Sequence, residues 1–170
     1  MIGEIRWWLR DVFFAVGAAI LIVVFLYQPV KVEGTSMRPE LSDQERIFVN
    51  KFVYRIEYIH RQDIVVFWYP RDPSKSYIKR VIGMPGDTVE IRRGRVYIND
   101  RLMAEPYIDP AYRDTRSHLS VYVEPGHYYV LGDHRNQSND SRTWGLVPQK
   151  YIYGRAAFRY WPVDKIGTLD

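Results

Sequence analysis

Residues Tyr77–Asp87 read YIKRVIGMPGD, an alternating β-strand pattern that runs into a Pro-Gly turn. Successive side chains of a strand point to opposite faces, so Lys79 lies on one face and Arg80 on the other. Whichever face packs on the core, one of these two cations is expected to be buried with it. The stretch therefore predicts a strand over residues 77–82 that carries a charge into the fold.

Strand-like periodicity continues on both sides of this stretch, and turn signals separate the runs. The Arg93-Gly94 pair between two alternating runs predicts a hairpin. The other predicted strands are Arg46–Phe52, Asp63–Trp68, Thr88–Arg92, Arg95–Ile98, His127–Leu131 and Ile152–Tyr160. Segment Pro106–Ser120 is polar and irregular and is predicted to be a mobile loop. We predict a mostly β domain whose antiparallel sheets form a partly open barrel.

Composition narrows the class of protein. A chain of 170 residues suits one domain with an appendage, and 46% hydrophobic with 26% charged residues is ordinary for a globular protein. The net charge of +4 comes from scattered basic residues, which disfavours a nucleic-acid partner. The absence of cysteine excludes disulfides, thiolate metal sites and a cysteine nucleophile. Composition does not indicate an oligomeric state.

The N-terminal region predicts a membrane anchor. Val12–Tyr27 reads VFFAVGAAILIVVFLY and contains no charge. The length of this run is near the lower limit for crossing about 30 Å of hydrocarbon. Arg6 and Arg10 precede the run, so the positive-inside rule places the N-terminus in the cytoplasm. Pro29 is expected to end the helix. We predict a cytoplasmic segment at 1–11, a single transmembrane helix at 12–28 and an extracytoplasmic domain at 29–170.

Two alternatives to a membrane anchor exist for the apolar segment. A cleaved signal peptide explains a basic start and an apolar run, but no small-x-small cleavage site follows it. A buried core helix is expected to show a polar face, and this segment shows none. An uncleaved anchor in the lipid bilayer is therefore the favoured interpretation.

Ser36 lies a few residues after the predicted anchor, in the sequence GTSMRPEL of residues 34–41. Gly34 frees the backbone and Pro39 restricts it, which favours a turn over a helix or a central strand. Rigid loops of this kind often present functional side chains. Ser-x-x-Pro also occurs in ordinary turns, so the segment alone does not assign a role to Ser36.

Lys79 is a candidate general base. Burial disfavours the charged form of a lysine and lowers the pKa of its amine, and a neutral amine beside a serine hydroxyl can accept the hydroxyl proton. The alternative is a lysine whose ammonium reaches solvent at a strand edge. Arg80 cannot act as the base, because a guanidinium stays protonated.

A third polar stretch, Gly132–Arg142, reads GDHRNQSNDSR. Taken alone, it fits an exposed polar loop or a calcium loop, although a calcium loop usually has more carboxylates and fewer nearby arginines. Ser138, Asp140 and Arg142 are spaced by two residues and point to one side if the chain is extended. They could then form an ion pair that holds a serine hydroxyl toward a neighbouring amine.

Together these stretches resemble the bacterial type I signal peptidases, which are membrane-anchored Ser–Lys endopeptidases. The resemblance rests on Ser36-Met37-Arg38-Pro39, on Asp63–Phe67, on the KRVIGMPGD sequence of Lys79–Asp87 and on Gly132–Arg142. These blocks occur in family order and span nearly the whole chain after the apolar segment.

The resemblance implies that Ser36 is the nucleophile and Lys79 the general base, with no metal or cofactor. It further implies that Ser138 orients the lysine amine, and that Asp140 and Arg142 brace the loop. The backbone N–H of Ser36 would bind the oxyanion.

At two places the sequence is compared with residues that vary within this family or that depart from its usual pattern. Some members place a hydroxyl two residues before the nucleophile as a second oxyanion donor, and this chain has Gly34 there. Family members usually have asparagine where this chain has His134 and Gln137. His134, like His60, His118 and His127, is interpreted as a structural or surface residue.

The implied substrates are secreted preproteins, cleaved at the outer face of the cytoplasmic membrane after small residues at positions −1 and −3. The side chains near the proposed dyad in sequence are the predicted pocket walls. They are Val32, Met37, Leu41, Tyr77 and Ile78. An extended substrate is expected to pair with the edge of the 77–82 strand.

Two alternatives remain at this point. A self-cleaving repressor-type Ser–Lys peptidase needs a DNA-binding region and a cleavable site in its own chain, and the apolar N-terminus disfavours it. An inactive membrane-tethered β-module has no need for both Ser36 and Lys79.

Overall fold

The structure, a computed structural model, describes residues 2–169, except for the side chains of residues 2–6, Ile22 and Val23. The Arg6 side chain, part of the basis for the predicted orientation, therefore lies outside the described residues. A long helix, α1 (Ile2–Leu26), precedes the strands, and a short α-helix, α2 (Ser141–Trp144), and several single-turn 3-10 helices lie between them.

The strands are, in chain order, β1 (Tyr27–Lys31), β2 (Arg46–Asn50), β3 (Ile64–Tyr69), β4 (Asp72–Gly83), β5 (Thr88–Arg92), β6 (Arg95–Ile98), β7 (Arg101–Leu102), β8 (His118–Tyr122), β9 (His127–Leu131), β10 (Val147–Pro148), β11 (Ile152–Trp161) and β12 (Gly167–Thr168).

The strands form two antiparallel sheets. The larger has the order β1-β2-β11-β3-β4-β9-β10, with β12 paired to β11, and the smaller has the order β7-β6-β5-β8. Both sheets are open, and neither closes into a barrel. The prediction of a mostly antiparallel β fold after an N-terminal apolar helix is confirmed.

Strand β3 lies at the centre of the larger sheet and is buried on both faces. Ile64 and Val66 pack in one hydrophobic cluster, whereas Val65 and Phe67 pack in another. Two-sided burial explains why this strand is a continuous apolar run and not an alternating one. Strand β4 is its neighbour and therefore carries side chains into the interior on both of its faces near residue 80.

The predicted helix boundary differs from the observed one. Helix α1 ends at Leu26, and Pro29 lies within β1, so the prediction that Pro29 ends the helix is wrong. Strand β1 is an edge strand, where a proline without an N–H group is tolerated. Pairing with β2 draws Tyr27 and Gln28 into the sheet and removes them from the predicted 12–28 helix.

Residues Trp7–Leu26 of α1 are long and apolar enough, by length and composition, to cross a membrane. At about 1.5 Å per residue, twenty residues span about 30 Å. Large apolar side chains of this segment are exposed to solvent, including Phe13 and Phe25 at 74% and 77%. None of this apolar segment is buried against the rest of the described chain.

Segment Pro106–Ser120, predicted to be a mobile loop, includes the first residues of β8, and its residues also contact the loop that follows β9. Asp114 pairs with Arg142, and the amide of Asn136 donates to the carbonyl oxygen of Ala111. These contacts fix the segment behind the polar loop of residues 132–142.

Candidate active site

Ser36 lies in the turn that follows β1, as its sequence predicts. Gly34 adopts a φ of +91° and donates its N–H to Asp43 Oδ1 at 2.8 Å. The N–H of Arg38 donates to the carbonyl oxygen of Thr35 at 3.1 Å and closes the turn around Ser36. A glycine is favoured at position 34 because other residues rarely adopt this left-handed backbone conformation.

Lys79 projects from β4 directly onto Ser36. Its Nζ lies 2.7 Å from Ser36 Oγ and donates to the carbonyl oxygen of Ile78 at 3.0 Å. Only 4% of Lys79 is exposed. Burial lowers the pKa of the Lys79 amine to about 8, although the negative charges of Asp140 and Asp133 act in the opposite direction. The arrangement places a readily deprotonated amine against a serine hydroxyl.

Arg80 is buried on the opposite face of β4, so both cations of the pair are inside the protein and not one alone. Its guanidinium binds Asp133, with Nε 3.0 Å from Oδ1 and a terminal nitrogen 2.9 Å from Oδ2. The ring of Tyr107 packs against the guanidinium at 4.1 Å. The prediction considered one buried face, and two-sided burial of β4 is the reason for the difference.

The polar stretch 132–142 packs directly against the serine turn. Gly132 allows this contact, because a Cβ there would lie 2.4 Å from the carbonyl oxygen of Ser36. Asp140 is fully buried and accepts hydrogen bonds from the Gly132 N–H at 3.1 Å and from Arg142 Nε at 2.8 Å. Burial raises the pKa of the Asp140 carboxyl, but hydrogen bonds and the charge of Arg142 outweigh it and hold the pKa below its ordinary value.

The structure brings Ser138 close to this region, and its hydroxyl faces Gly132. Ser138 Oγ is buried and interacts with the Asp140 carboxylate, whose pKa it helps to lower, whereas Lys79 Nζ bonds Ser36 Oγ and the Ile78 carbonyl oxygen. The predicted contact between Ser138 and the lysine amine is therefore not formed in this conformation. Asp133 and Asp140, the two carboxylates of the stretch that also fits a calcium loop, each bind an arginine.

An open cleft of about 390 Å³ lies beside Ser36 and Lys79. Four of the predicted wall residues line it, namely Val32, Met37, Tyr77 and Ile78. Leu41 does not: it is fully buried in the hydrophobic core beneath the turn. The spacing of Leu41 from Ser36 was its only basis as a wall residue, and the turn directs its side chain inward.

One wall of the cleft is a strand edge. Strand β9 pairs with β4 only over residues 80–83, so residues 74–79 have no strand on that side within the described part of the chain. The predicted edge over residues 77–82 is thus open at its first three positions and occupied beyond them. The segment of residues 30–34 also lines the cleft.

Several residues of the site were not predicted. Gln137 and Asn139 line the cleft, and their position on either side of Ser138 was the available signal. Asp114 binds Arg142, and Glu105 forms a buried ion pair with Arg135. Those two acidic residues come from a segment distant in sequence, and no local pattern links them to the loop that they brace.

A serine hydroxyl paired with a basic side chain beside an open cleft is the arrangement of serine hydrolases, including their Ser–Lys forms. Comparison with known proteins supports this class. Residues 5–161 match the family model described as signal peptidase, peptidase S26. A signal peptidase I of Bacillus licheniformis is 38% identical, over 96% of this chain and 92% of its own length. One from Bacillus amyloliquefaciens is 42% identical, over 91% and 84%.

Among solved structures, that of a signal peptidase I from Enterococcus faecalis V583 is similar, with a TM-score of 0.52 and 34% sequence identity. The match covers 59% of this chain and 97% of the other. The chain belongs to the signal peptidase family, peptidase S26, and is a serine peptidase. An apolar N-terminal helix is consistent with the membrane anchoring of this family.

Proposed function

We propose that Ser36 and Lys79 form the catalytic dyad of a signal peptidase that removes N-terminal signal peptides from secreted preproteins. The observation that carries the proposal is the 2.7 Å approach of Lys79 Nζ to Ser36 Oγ, combined with burial that lowers the pKa of this amine to about 8. A fraction of the lysine is then neutral near physiological pH and competent as a base.

The reaction is acyl transfer in two steps. Neutral Lys79 accepts the hydroxyl proton while Ser36 Oγ attacks the scissile carbonyl carbon. The resulting ammonium protonates the leaving amine as the C–N bond breaks, which releases the mature protein and leaves an ester on Ser36. Lys79 then accepts a proton from water while the water oxygen attacks the ester carbon. The ammonium returns this proton to Ser36 Oγ as the C–O bond breaks, and the signal peptide leaves as a carboxylic acid that ionises in water.

The surrounding groups act through the dyad. The N–H of Ser36 binds the developing oxyanion. Asp140 and Arg142 hold the backbone of residues 132–142 against the serine turn. Ser138, whose hydroxyl is buried beside Gly132, orients the lysine amine after a change in side-chain rotamer.

The substrate lies extended in the cleft and pairs with the open edge of β4 at residues 74–79. Alternate side chains of an extended peptide point to the same side, so the side chains at −1 and −3 face the same wall. The apolar groups of Val32, Met37, Tyr77 and Ile78 line that wall and select small residues there.

The apolar helix supports a location of this site at the membrane. We propose that α1 crosses the cytoplasmic membrane with the N-terminus in the cytoplasm, and that the domain from residue 29 onward lies outside. Nine residues lie between the end of α1 at Leu26 and Ser36. Cleavage therefore takes place close to the outer surface, where the end of a signal peptide emerges.

Cleavage of a precursor that contains an Ala-x-Ala site tests the proposal directly. The full chain in detergent is expected to cut this precursor, and Ser36→Ala and Lys79→Ala are each expected to lower kcat by at least about 10³-fold. Lys150→Ala, at an exposed lysine that does not line the cleft, serves as the control and is expected to retain the wild-type rate.

Thermal unfolding of each variant separates chemistry from folding. Wild-type cleavage by a folded Ser36→Ala or Lys79→Ala variant refutes the dyad. Cleavage that is indifferent to large residues at −1 and −3 refutes the proposed selection in the cleft.

A further inference from the structure

His134 holds the backbone on both sides of Ser36. Its backbone N–H donates to the carbonyl oxygen of Ser36 at 3.0 Å, and its ring Nδ1 lies 3.0 Å from the carbonyl oxygen of Thr35. A carbonyl oxygen can only accept, so Nδ1 carries the proton and donates it. One residue therefore restrains the two peptide units that flank the serine.

The peptide unit between Thr35 and Ser36 contains both the restrained carbonyl and the N–H of Ser36. This bond is trans, because the cis bonds of the described chain are those before Pro39 and Pro162. In a planar trans peptide the C=O and N–H groups point in opposite directions. The ring of His134 thus fixes the direction of the Ser36 N–H by holding the other side of the same plane.

The Ser36 N–H is available to a ligand. Within residues 2–169 it donates to no acceptor, whereas the Thr35 carbonyl oxygen accepts from both the His134 ring and the Arg38 N–H. Two donors on the carbonyl leave the peptide plane little freedom to rotate.

The His134 ring is itself fixed in place. Only 6% of the residue is exposed, and the ring of Tyr112 packs edge-on against it at 4.4 Å between centroids. Tyr112 belongs to the segment of residues 106–120, which thereby contributes to the site from behind. Packing on one side and a hydrogen bond on the other leave the imidazole one orientation.

We propose that the His134 side chain is a positioning residue that aims the Ser36 N–H at the oxyanion. The inference rests on the proposed role of Ser36 and goes beyond the structural or surface role that the sequence indicates for this histidine. His134 touches neither the substrate nor the reacting atoms. It acts by keeping a transition-state donor in the direction in which the donor is needed.

The test compares three substitutions in the full chain. His134→Asn keeps a side-chain N–H donor, His134→Leu has a similar size without a donor, and His134→Ala removes both. His127→Ala is the matched control, because His127 Nδ1 also lies 3.1 Å from a backbone carbonyl oxygen, that of Pro125, and the residue does not line the cleft. Rates and KM are measured with the Ala-x-Ala precursor, alongside thermal unfolding and the Ser36→Ala variant.

We expect His134→Leu and His134→Ala to lower kcat by about 10- to 100-fold with KM changed less than about twofold, since an oxyanion donor acts on the transition state. His134→Asn is expected to stay within about threefold of wild type, and His127→Ala to be unchanged. If His134→Ala does not fold, the Asn and Leu variants, which are similar in size, decide the outcome.

Equal rates for the Asn and Leu variants overturn the proposal, as does a loss that appears in KM alone. Such a result, combined with an inactive Ser36→Ala variant, leaves the dyad intact. Activity in Ser36→Ala instead refutes the dyad itself, so the two failures are distinguishable.

Discussion

Replacement of the proposed base by an uncharged side chain is expected to inactivate the enzyme and to stabilise it. Lys79→Met removes the ammonium but keeps an unbranched chain of similar length that fills the same buried space. In the folded protein, burial lowers the pKa of Lys79 from an ordinary 10.5 to about 8. Folding therefore disfavours the protonated lysine, and below pH 8 that cost is present in full.

The size of the effect follows from these two pKa values. Their difference of about 2.5, at about 1.4 kcal/mol per pKa unit, corresponds to about 3 kcal/mol at pH 7. Loss of the hydrogen bonds to Ser36 and to the Ile78 carbonyl subtracts about 1 kcal/mol. Lys79→Met is thus expected to raise the free energy of unfolding at pH 7 by about 2 kcal/mol and Tm by about 4–8 °C.

The gain has a defined pH dependence. Between pH 8 and 10.5 the unfolded chain binds more protons at this position than the folded chain, so the stability of the wild type rises with pH. At pH 9.5 the cost of the lysine has fallen to about 1 kcal/mol, and the advantage of Lys79→Met is expected to vanish.

Denaturant unfolding of the full chain in detergent at pH 7, 8.5 and 9.5, followed by circular dichroism, measures this difference. Lys75→Met is the control: Lys75 is an exposed lysine of the same strand that pairs with Asp72, and no comparable pH-dependent gain is expected there. A Lys79→Met protein that is no more stable than wild type at pH 7 would refute the reasoning. So would a gain that is the same at pH 7 and 9.5.

Three further predictions concern the chemistry and the packing of the site. The kcat/KM of the wild type is expected to rise about tenfold per pH unit below pH 8 and to level off above it, as Lys79 loses its proton; a rate that is flat from pH 6 to 9 contradicts a titrating lysine base. Gly132→Ala is expected to lower kcat at least tenfold and to destabilise the fold by about 1–3 kcal/mol, because the added Cβ lies 2.4 Å from the Ser36 carbonyl oxygen. A variant with wild-type kinetics would contradict this packing. Asp133→Asn is expected to destabilise the fold by about 3–5 kcal/mol, because it removes the carboxylate that pairs with the buried guanidinium of Arg80. An unchanged midpoint of unfolding would contradict this expected loss of stability.

Matched variants control for the last two substitutions. Gly167→Ala adds a Cβ that meets no atom within 4 Å, so it is expected to be neutral in activity and stability. Asp100→Asn breaks an exposed pair with Arg92, and the solvent-screened charge makes its effect on unfolding far smaller than that of Asp133→Asn.

Short-range features of the fold could be predicted from the sequence. Strands β5, β6 and β9 begin and end at the predicted residues, because alternating side chains and glycine turns act over neighbouring positions. Strand β8 was not predicted, because its first three residues lie in the segment predicted to be an irregular loop and its partner β5 is distant in sequence. Likewise, Tyr27 pairs with β2, although it ends an apolar run whose sequence predicts a helix.

The same division applies to the candidate site. The residue types, their order along the chain and the resemblance that they carry indicated Ser36 and Lys79 before any distance was known. Tertiary structure alone decided that Ser36 and Lys79, which are 43 positions apart in the sequence, lie with Oγ and Nζ 2.7 Å apart. It also decided that both faces of β4 are buried, that Leu41 lies in the core, and that His134 contacts the serine turn. Each of these features depends on strand pairing and packing between segments that are distant in the sequence. The local sequence of one segment does not reveal which other segment will pack against it.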